Sequence, residues 1–187
     1  MRKLVVFSHV SLDGFFVDAN GDMSWAKGTK DAEWDAFVAE NAGRNAVLVF
    51  GRVTYELMTR YWPTPLAAEH DPAVAERMNN LSKVVFSRTL DTALWNNTRL
   101  AKGEMVEEVR RMKAEPGEGM VILGSGNIVS QLAAQGLIDE YQIVVSPIVL
   151  GKGRTLFESV KENLKLRLAR TRAFNNGNVY LCYEPAT

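Results

Sequence analysis

One cysteine and two histidines among 187 residues leave little material for several kinds of chemistry. Cys182 has no partner for an internal disulfide, and His9 and His70, far apart in the chain, make no metal-ligand cluster. Lys plus Arg number 22 and Asp plus Glu number 22, so the chain lacks the basic excess on which nonspecific nucleic-acid binding depends. No apolar run approaches the length of a membrane span. No serine sits in a Gly-x-Ser-x-Gly elbow, and no Gly-Lys-Ser/Thr follows a glycine turn. The opening Met1-Arg2-Lys3 followed by Leu4-Val5-Val6-Phe7 has the outline of a secretory signal. The apolar run breaks at Ser8-His9 with no small-residue cleavage pattern, and a first β-strand is expected instead. These absences predict a soluble, cytoplasmic protein with no metal, no membrane partner and no nucleic-acid partner. Cys182, between Leu181 and Tyr183 in a strand pattern, is expected to be a packed thiol.

Glycines and hydroxyl residues stand at three strand ends. Met120-Val121-Ile122-Leu123 reads as a short buried strand, Gly124-Ser125-Gly126-Asn127 as a turn, and Ile128, Val129, Leu132 and Ala133 as the apolar face of a helix that stops at Gly136. A glycine turn between a strand and a helix lets backbone N–H groups approach an anionic oxygen, and the free first-turn N–H groups and helix dipole favour a phosphate there. Tight-turn chemistry alone is the other reading. Gly126 in particular is expected to be required because a β-carbon would collide with a pyrophosphate or disturb the turn. The strand 46–50 runs into Gly51-Arg52-Val53-Thr54-Tyr55-Glu56, where Gly51 permits close approach, Arg52 brings a planar cation suited to phosphate, and Thr54 a hydroxyl. A capped surface helix with a solvated arginine explains the same residues. The third junction is Lys83-Val84-Val85-Phe86 leading into Ser87-Arg88-Thr89. Together the three describe one extended polyanion site at the carboxyl ends of a sheet.

The chain alternates strand and helix through residue 135. Strand 3–10 comes first, then a helix from about Asp31 with Trp34, Phe37 and Val38 on one face, then strand 46–50 and its helix. Trp62-Pro63-Thr64-Pro65 is expected to open an irregular loop that includes Asp71-Pro72, and the residues around Trp95-Asn96-Asn97 a polar connection. Met105, Val109 and Met112 line a further helix. In the last third, a strand from Glu140 is interrupted at Pro147. Leu164, Leu166 and Leu168 alternate with Lys165 and Arg167 as a half-buried strand does, and Asn175-Asn176-Gly177-Asn178 supplies a hairpin turn before Val179-Tyr180-Leu181-Cys182-Tyr183. The predicted architecture is a single α/β domain over 1–187: a central, mostly parallel sheet flanked by helices, with a C-terminal antiparallel hairpin.

The ordered set of motifs resembles the dihydrofolate reductase fold, and within it the reductase domain of the bifunctional riboflavin-biosynthesis deaminase–reductase. The matching pieces are Ser11-Leu12-Asp13-Gly14-Phe15, Gly51 to Glu56, Val85-Phe86-Ser87-Arg88, Ile122 to Asn127, Gly136-Leu137-Ile138-Asp139-Glu140, and Pro147 to Gly153 with Leu156-Phe157. Single pieces are short; their order along nearly the whole chain carries the likeness. The zinc-binding deaminase half has no counterpart here. The resemblance implies an NADPH-dependent reductase of a pyrimidine- or pteridine-like heterocycle, and a homodimer. It implies that Gly51, Arg52 and Thr54 contact phosphates, that Ser87 and Arg88 hold the adenosine 2′-phosphate, and that Gly124, Ser125, Gly126 and Asn127 hold the pyrophosphate. A regulator that binds NADPH without turnover, and a flavin-binding electron-transfer protein, are the other classes considered.

Hydride transfer needs no protein nucleophile; it needs orientation, a dry pocket and often one proton donor. Asp13 precedes Gly14 as turn aspartates do, and also ends the first strand beside the expected nicotinamide. Asp31 opens a helix as an N-cap would, and by resemblance falls where a pteridine-binding carboxylate sits, with Ser146 facing it. A carboxylate in an apolar pocket would have a raised pKa and could gate a proton. Trp25, Tyr55, Tyr61 and Trp62 are candidates for stacking a planar ring, with core packing as the alternative. Gly151-Lys152-Gly153-Arg154 reads as a solvated turn or as a basic loop for a phosphorylated substrate.

Overall fold

Alternating apolar residues place strands where the patterning demands them, and helices cross between. The structure, a computed structural model, describes residues 1–29 and 31–186. In chain order the elements are β1 (Leu4–Ser11), β2 (Val17–Asp18), a 3-10 turn (Ser24–Lys27), α1 (Ala32–Gly43), β3 (Ala46–Gly51), α2 (Arg52–Thr59), α3 (Pro65–His70), α4 (Pro72–Asn80), β4 (Lys83–Phe86), β5 (Thr98–Ala101), α5 (Met105–Ala114), β6 (Gly119–Leu123), α6 (Gly126–Ala134), β7 (Glu140–Ser146), β8 (Gly153–Arg154), β9 (Leu166–Ala173) and β10 (Val179–Pro185). Eight strands form one sheet in the order β5-β4-β3-β6-β1-β7-β10-β9, and β2 pairs with β8 in a separate two-stranded ribbon. Every ladder from β5 to β7 is parallel, whereas β10 runs antiparallel to both of its neighbours.

The central strands are covered on both faces. Leu4, Val6, Val49, Ile122, Val129 and Leu132 are fully buried in the largest cluster, while Phe50, Tyr55, Val85 and Trp95 form a second beneath α2 and α4. Trp34, Val144, Phe174, Tyr180 and Cys182 form the third, where α1 lies on the β7–β10 side. The predicted packed thiol is there: Cys182 is fully buried, and burial pushes its pKa up.

Three local expectations are corrected. The loop expected after Trp62 folds into α3 and α4, because Pro65 and Pro72 each stand in a helix's first turn, where the missing N–H costs nothing. Thr64 caps α3 by accepting from the Ala67 N–H at 3.3 Å. The polar connection near residue 97 continues into β5, an edge strand whose pattern is subordinate to its pairing with β4. Finally, Leu166 and Leu168 are not half-buried. They lie on the outermost strand, 37% and 48% exposed, and all eight residues of β9 are exposed. The turn from β9 to β10 is as expected: the Gly177 N–H donates to the Phe174 carbonyl at 3.0 Å, with φ at +87°.

Candidate functional site

The parallel ladders bring the carboxyl ends of β3, β4 and β6 side by side, so the three junctions meet in one place. Gly51 passes from β3 straight into α2, and its N–H donates to the Ser125 Oγ at 2.9 Å, joining the first junction to the glycine turn. In that turn two consecutive residues are left-handed, Gly124 at φ +59° and Ser125 at φ +61°. A non-glycine residue in this region is strained and persists where the surroundings demand it. Here the Ser125 side chain is buried and accepts the Gly51 N–H, while its carbonyl accepts from Val129 in the first turn of α6. The hydroxyl proton of Ser125 remains able to donate.

A cleft of about 540 Å³ opens above this junction. Eight of the nine residues expected to hold a cofactor line it: Gly51, Arg52, Thr54, Ser87, Arg88, Ser125, Gly126 and Asn127. Gly124, the ninth, turns the chain just behind, its α-carbon facing the Thr54 side chain. Arg52 is closed onto Glu56 at 3.1 Å, and Arg88 onto Glu104. Both pairs are solvent-exposed, and such pairs are worth about 0–1 kcal/mol, so either arginine can exchange its carboxylate for a phosphate at small cost. The Ser87 Oγ accepts from the Leu90 N–H at 2.9 Å and shapes the turn that presents Arg88. The Asn127 Oδ1 accepts from Gln131 on the next turn of α6.

Two further residues of the cleft lie outside the set that the sequence assigns to the cofactor. Phe16, 7% exposed, lies over the start of α6, and the Arg154 guanidinium sits 5.7 Å from its ring centroid. Arg154 is not in a solvated turn: its strand β8 pairs with β2, and that pairing carries it to the cleft, where no carboxylate neutralises it among the described residues. The available signal was Gly153: a β-carbon there would fall 2.1 Å from the Val17 carbonyl oxygen. Gly126 also has a reason beyond ligand approach. Its β-carbon would stand 2.7 Å from the Phe16 ring, so a larger residue disturbs the wall of the cleft before any ligand arrives.

The carboxylates behave differently from the proton donor anticipated. The Ser11 hydroxyl holds Asp13 below the usual carboxylate range; desolvation opposes it, and the N–H groups of Leu150 and Gly151 help the hydroxyl to outweigh it. Those N–H groups lie at 3.1 and 2.7 Å, so Asp13 ties the end of β1 to the loop after β7. At Asp31 desolvation pulls the pKa up, but N–H donors from Trp34, Asn176, Glu33 and Asn175 outweigh it and hold the group low. Asp31 is the N-cap of α1, and it also anchors the β9–β10 turn through the Asn176 N–H at 2.9 Å. Neither carboxylate has the raised pKa of a proton gate.

The expected substrate residues separate. Tyr55 is 4% exposed, its hydroxyl accepting from the Trp95 N–H at 3.0 Å, and Trp62 packs against the same cluster with its indole N–H on Met58 Sδ at 3.2 Å. Tyr55 is a core residue, and Trp62 a half-buried one at the edge of that cluster. Tyr61 stacks edge-on with Trp62. Trp25 lies in the turn before α1, its indole N–H on the Asp22 carbonyl at 3.2 Å. Ser146, buried at the end of β7, does not meet Asp31; its Oγ is 3.5 Å from His9 Nδ1. His9, unassigned from sequence, stacks edge-on with Trp34 at 5.5 Å, and burial pushes its pKa down to about 4. Among the described residues no His, Cys, Asp and Glu gather to hold a metal, and no helix is long and apolar enough to cross a membrane.

The strand order and the antiparallel C-terminal hairpin are those of a dihydrofolate reductase-like fold. The chain belongs to the RibD C-terminal domain family, matched over residues 2–180. It is 28% identical over 183 residues to the uncharacterized protein YyaP of Bacillus subtilis (strain 168), covering 98% of this chain and 95% of that one. Among solved structures, it shares the fold of a diaminohydroxyphosphoribosylaminopyrimidine deaminase/5-amino-6-(5-phosphoribosylamino)uracil reductase from Thermotoga maritima, with a TM-score of 0.70 and 14% identity over 99% of this chain and 57% of that one. It also shares the fold of a dihydrofolate reductase from Enterococcus faecalis complexed with NADP(H), with a TM-score of 0.65 and 16% identity over 99% and 97% of the two chains.

Proposed function

We propose that the protein is an NADPH-dependent reductase of a small pyrimidine- or pteridine-like heterocycle or a related carbonyl or imine. The carrying observation is the convergence of three strand ends, two helix N-termini and three arginines on one cleft. The residues fit a dinucleotide: a left-handed Gly124–Ser125 turn opens a nine-residue helix toward the space a pyrophosphate would fill, and Arg88 stands at the rim on the β4 side. The family and the NADP(H) complex of the dihydrofolate reductase support this cofactor.

When bound, the cofactor supplies the hydride. The chain's own residues then bind and orient: Gly51, Arg52 and Thr54 take phosphate oxygens, Ser125 to Asn127 the pyrophosphate, and Ser87 with Arg88 the 2′-phosphate. Phe16 walls the cleft over α6 and excludes water. Asp13 holds the loop after β7 in place as an ionised tether. A second reading, an NADPH-binding regulator without turnover, uses the same cleft. Replacing Arg88 with Ala tests the main reading. The NADPH dissociation constant should rise about tenfold or more, by loss of a charge-assisted bond, while NADH binding changes little. Equal loss for both cofactors removes Arg88 from the 2′-phosphate, and NADPH binding without oxidation of any heterocycle supports the regulator.

A further inference from the structure

A fourth strand end reaches the cofactor cleft, and it brings a carboxylate. Phe86 pairs with Ala101 in the parallel β4–β5 ladder, and the Ser87 N–H donates to the Ala101 carbonyl at 3.1 Å, so the chains leaving the two strands run side by side. Neighbouring strands lie about 4.8 Å apart. Arg88 follows β4, and Glu104 follows β5, where Gly103, Glu104 and Met105 line the cleft at the start of α5. Glu104 is the one carboxylate lining the cleft among the described residues, in the company of Arg52, Arg88 and Arg154.

Two features set Glu104 apart from an ordinary surface acid. It is the N-cap of α5, yet its side chain makes no capping bond. A polar N-cap side chain usually accepts from the first-turn N–H groups. Here the carboxylate turns away from them and meets the Arg88 guanidinium instead. The pair is also open to a ligand, with the Arg88 and Glu104 side chains 72% and 76% exposed.

The two partners make opposite demands on an adenosine ribose. A guanidinium only donates and suits a 2′-phosphate; a carboxylate only accepts and suits a free 2′-hydroxyl. To be bound, a 2′-phosphate must draw Arg88 away from Glu104, and it then lies beside an unpaired negative charge. The exposed pair separates at small cost, but the repulsion between like charges remains. A 2′-hydroxyl can donate to Glu104 while Arg88 keeps its place, because the carboxylate has lone pairs for both.

We propose that Glu104 sets the cofactor preference of the cleft: it holds down affinity for NADPH and accepts the ribose 2′-hydroxyl of NADH, so that the protein takes both dinucleotides. The assignment rests on the dinucleotide reading of the cleft, with Arg88 at the 2′-phosphate.

The test is fluorescence titration of the wild type, Glu104→Ala and Glu104→Gln with NADPH and with NADH. The wild type should bind both. Glu104→Ala should tighten NADPH about threefold, by removing the competitor for Arg88, and weaken NADH about fivefold, by removing the acceptor. Glu104→Gln is neutral but keeps an amide oxygen, so it should tighten NADPH as the alanine does and hold NADH near the wild-type value. The three free proteins should melt together, because no capping bond is lost. A residue acting by charge alone tightens both cofactors in both variants, and one that only shapes the start of α5 weakens both and lowers the melting temperature; either result overturns the proposal. A wild type that binds NADPH but not NADH overturns it and leaves the NADPH reading intact. A wild type that binds neither dinucleotide removes the cofactor reading and the proposal together.

Discussion

Arginine 154 is the one cleft arginine with no carboxylate partner among the described residues, whereas Arg52 and Arg88 rest on Glu56 and Glu104. An unneutralised guanidinium over an aromatic ring is weakly hydrated and retains its full charge for an incoming anion. Replacing Arg154 with Gln should therefore weaken NADPH binding by about tenfold, the loss of one charge-assisted contact, and flatten the dependence of affinity on salt. Fluorescence titration at two ionic strengths checks it, and an unchanged dissociation constant would return Arg154 to the role of a packing residue on Phe16. Residue identity alone could not show this. Gly151-Lys152-Gly153-Arg154 has the composition of a solvated turn, and only the β2–β8 pairing, tight enough to demand Gly153, decides where its last side chain goes.

Among the elements, α1 shows how one side chain serves two structures. Asp31 accepts from Glu33 and Trp34 as a cap, and from Asn176 as the anchor of the hairpin turn. Asp31→Ala should lower stability by about 0.5–2 kcal/mol for the cap, with a further loss for the turn. In a protein of this size each kcal/mol moves the melting temperature by about 2–4 °C. NADPH affinity should be unaffected, because α1 touches none of the three cofactor junctions; a mutant that melts normally but loses turnover would restore Asp31 to catalysis. The helix start at Asp31 was legible as an aspartate ahead of a Trp34–Phe37–Val38 face. Its second partner was not, since Asn176 lies 145 residues away.

For the whole molecule, two expectations concern stability and assembly. His9 has its pKa pushed from 6.5 down to about 4 by burial. The folded protein therefore keeps the imidazole neutral, and the stability this brings is complete above about pH 6.5. It is lost as pH falls toward 4, because the unfolded chain takes up the proton first, at up to about 1.4 kcal/mol per pH unit. Asp13 and Asp31, with lowered pKa values, add losses in the same direction at lower pH. Thermal melts from pH 7 to 4.5 should fall steadily, with the His9 imidazole still neutral by NMR at pH 5; a protonated His9 at that pH would contradict the assignment. Assembly turns on β9. Arg167, Arg170 and Arg172 pair with Glu184, Glu140 and Glu33, which leaves Leu166 and Leu168, with Leu164 just before them, exposed on an edge strand whose outer side pairs with no other strand among the described residues. Long exposed apolar edges are usually covered, and a second copy is the occupant we propose. Light scattering should report a dimer that Leu166→Lys with Leu168→Lys converts to monomer, and a wild-type monomer across working concentrations would reject it.

The sequence by itself determined the alternation of strands and helices, the three glycine- and hydroxyl-bearing strand ends, and the family. These are carried by local periodicity, turn chemistry and ordered short motifs, each readable within a few residues. Tertiary structure decided what lay between distant segments. It turned Asp13 and Asp31 into tethers through N–H groups up to 145 residues away, sent Tyr55 into the core with Trp62 packed at its edge, and brought Phe16 and Arg154 to the cleft. A side chain's protonation and exposure depend on which partners long-range pairing delivers, and no local pattern encodes that delivery.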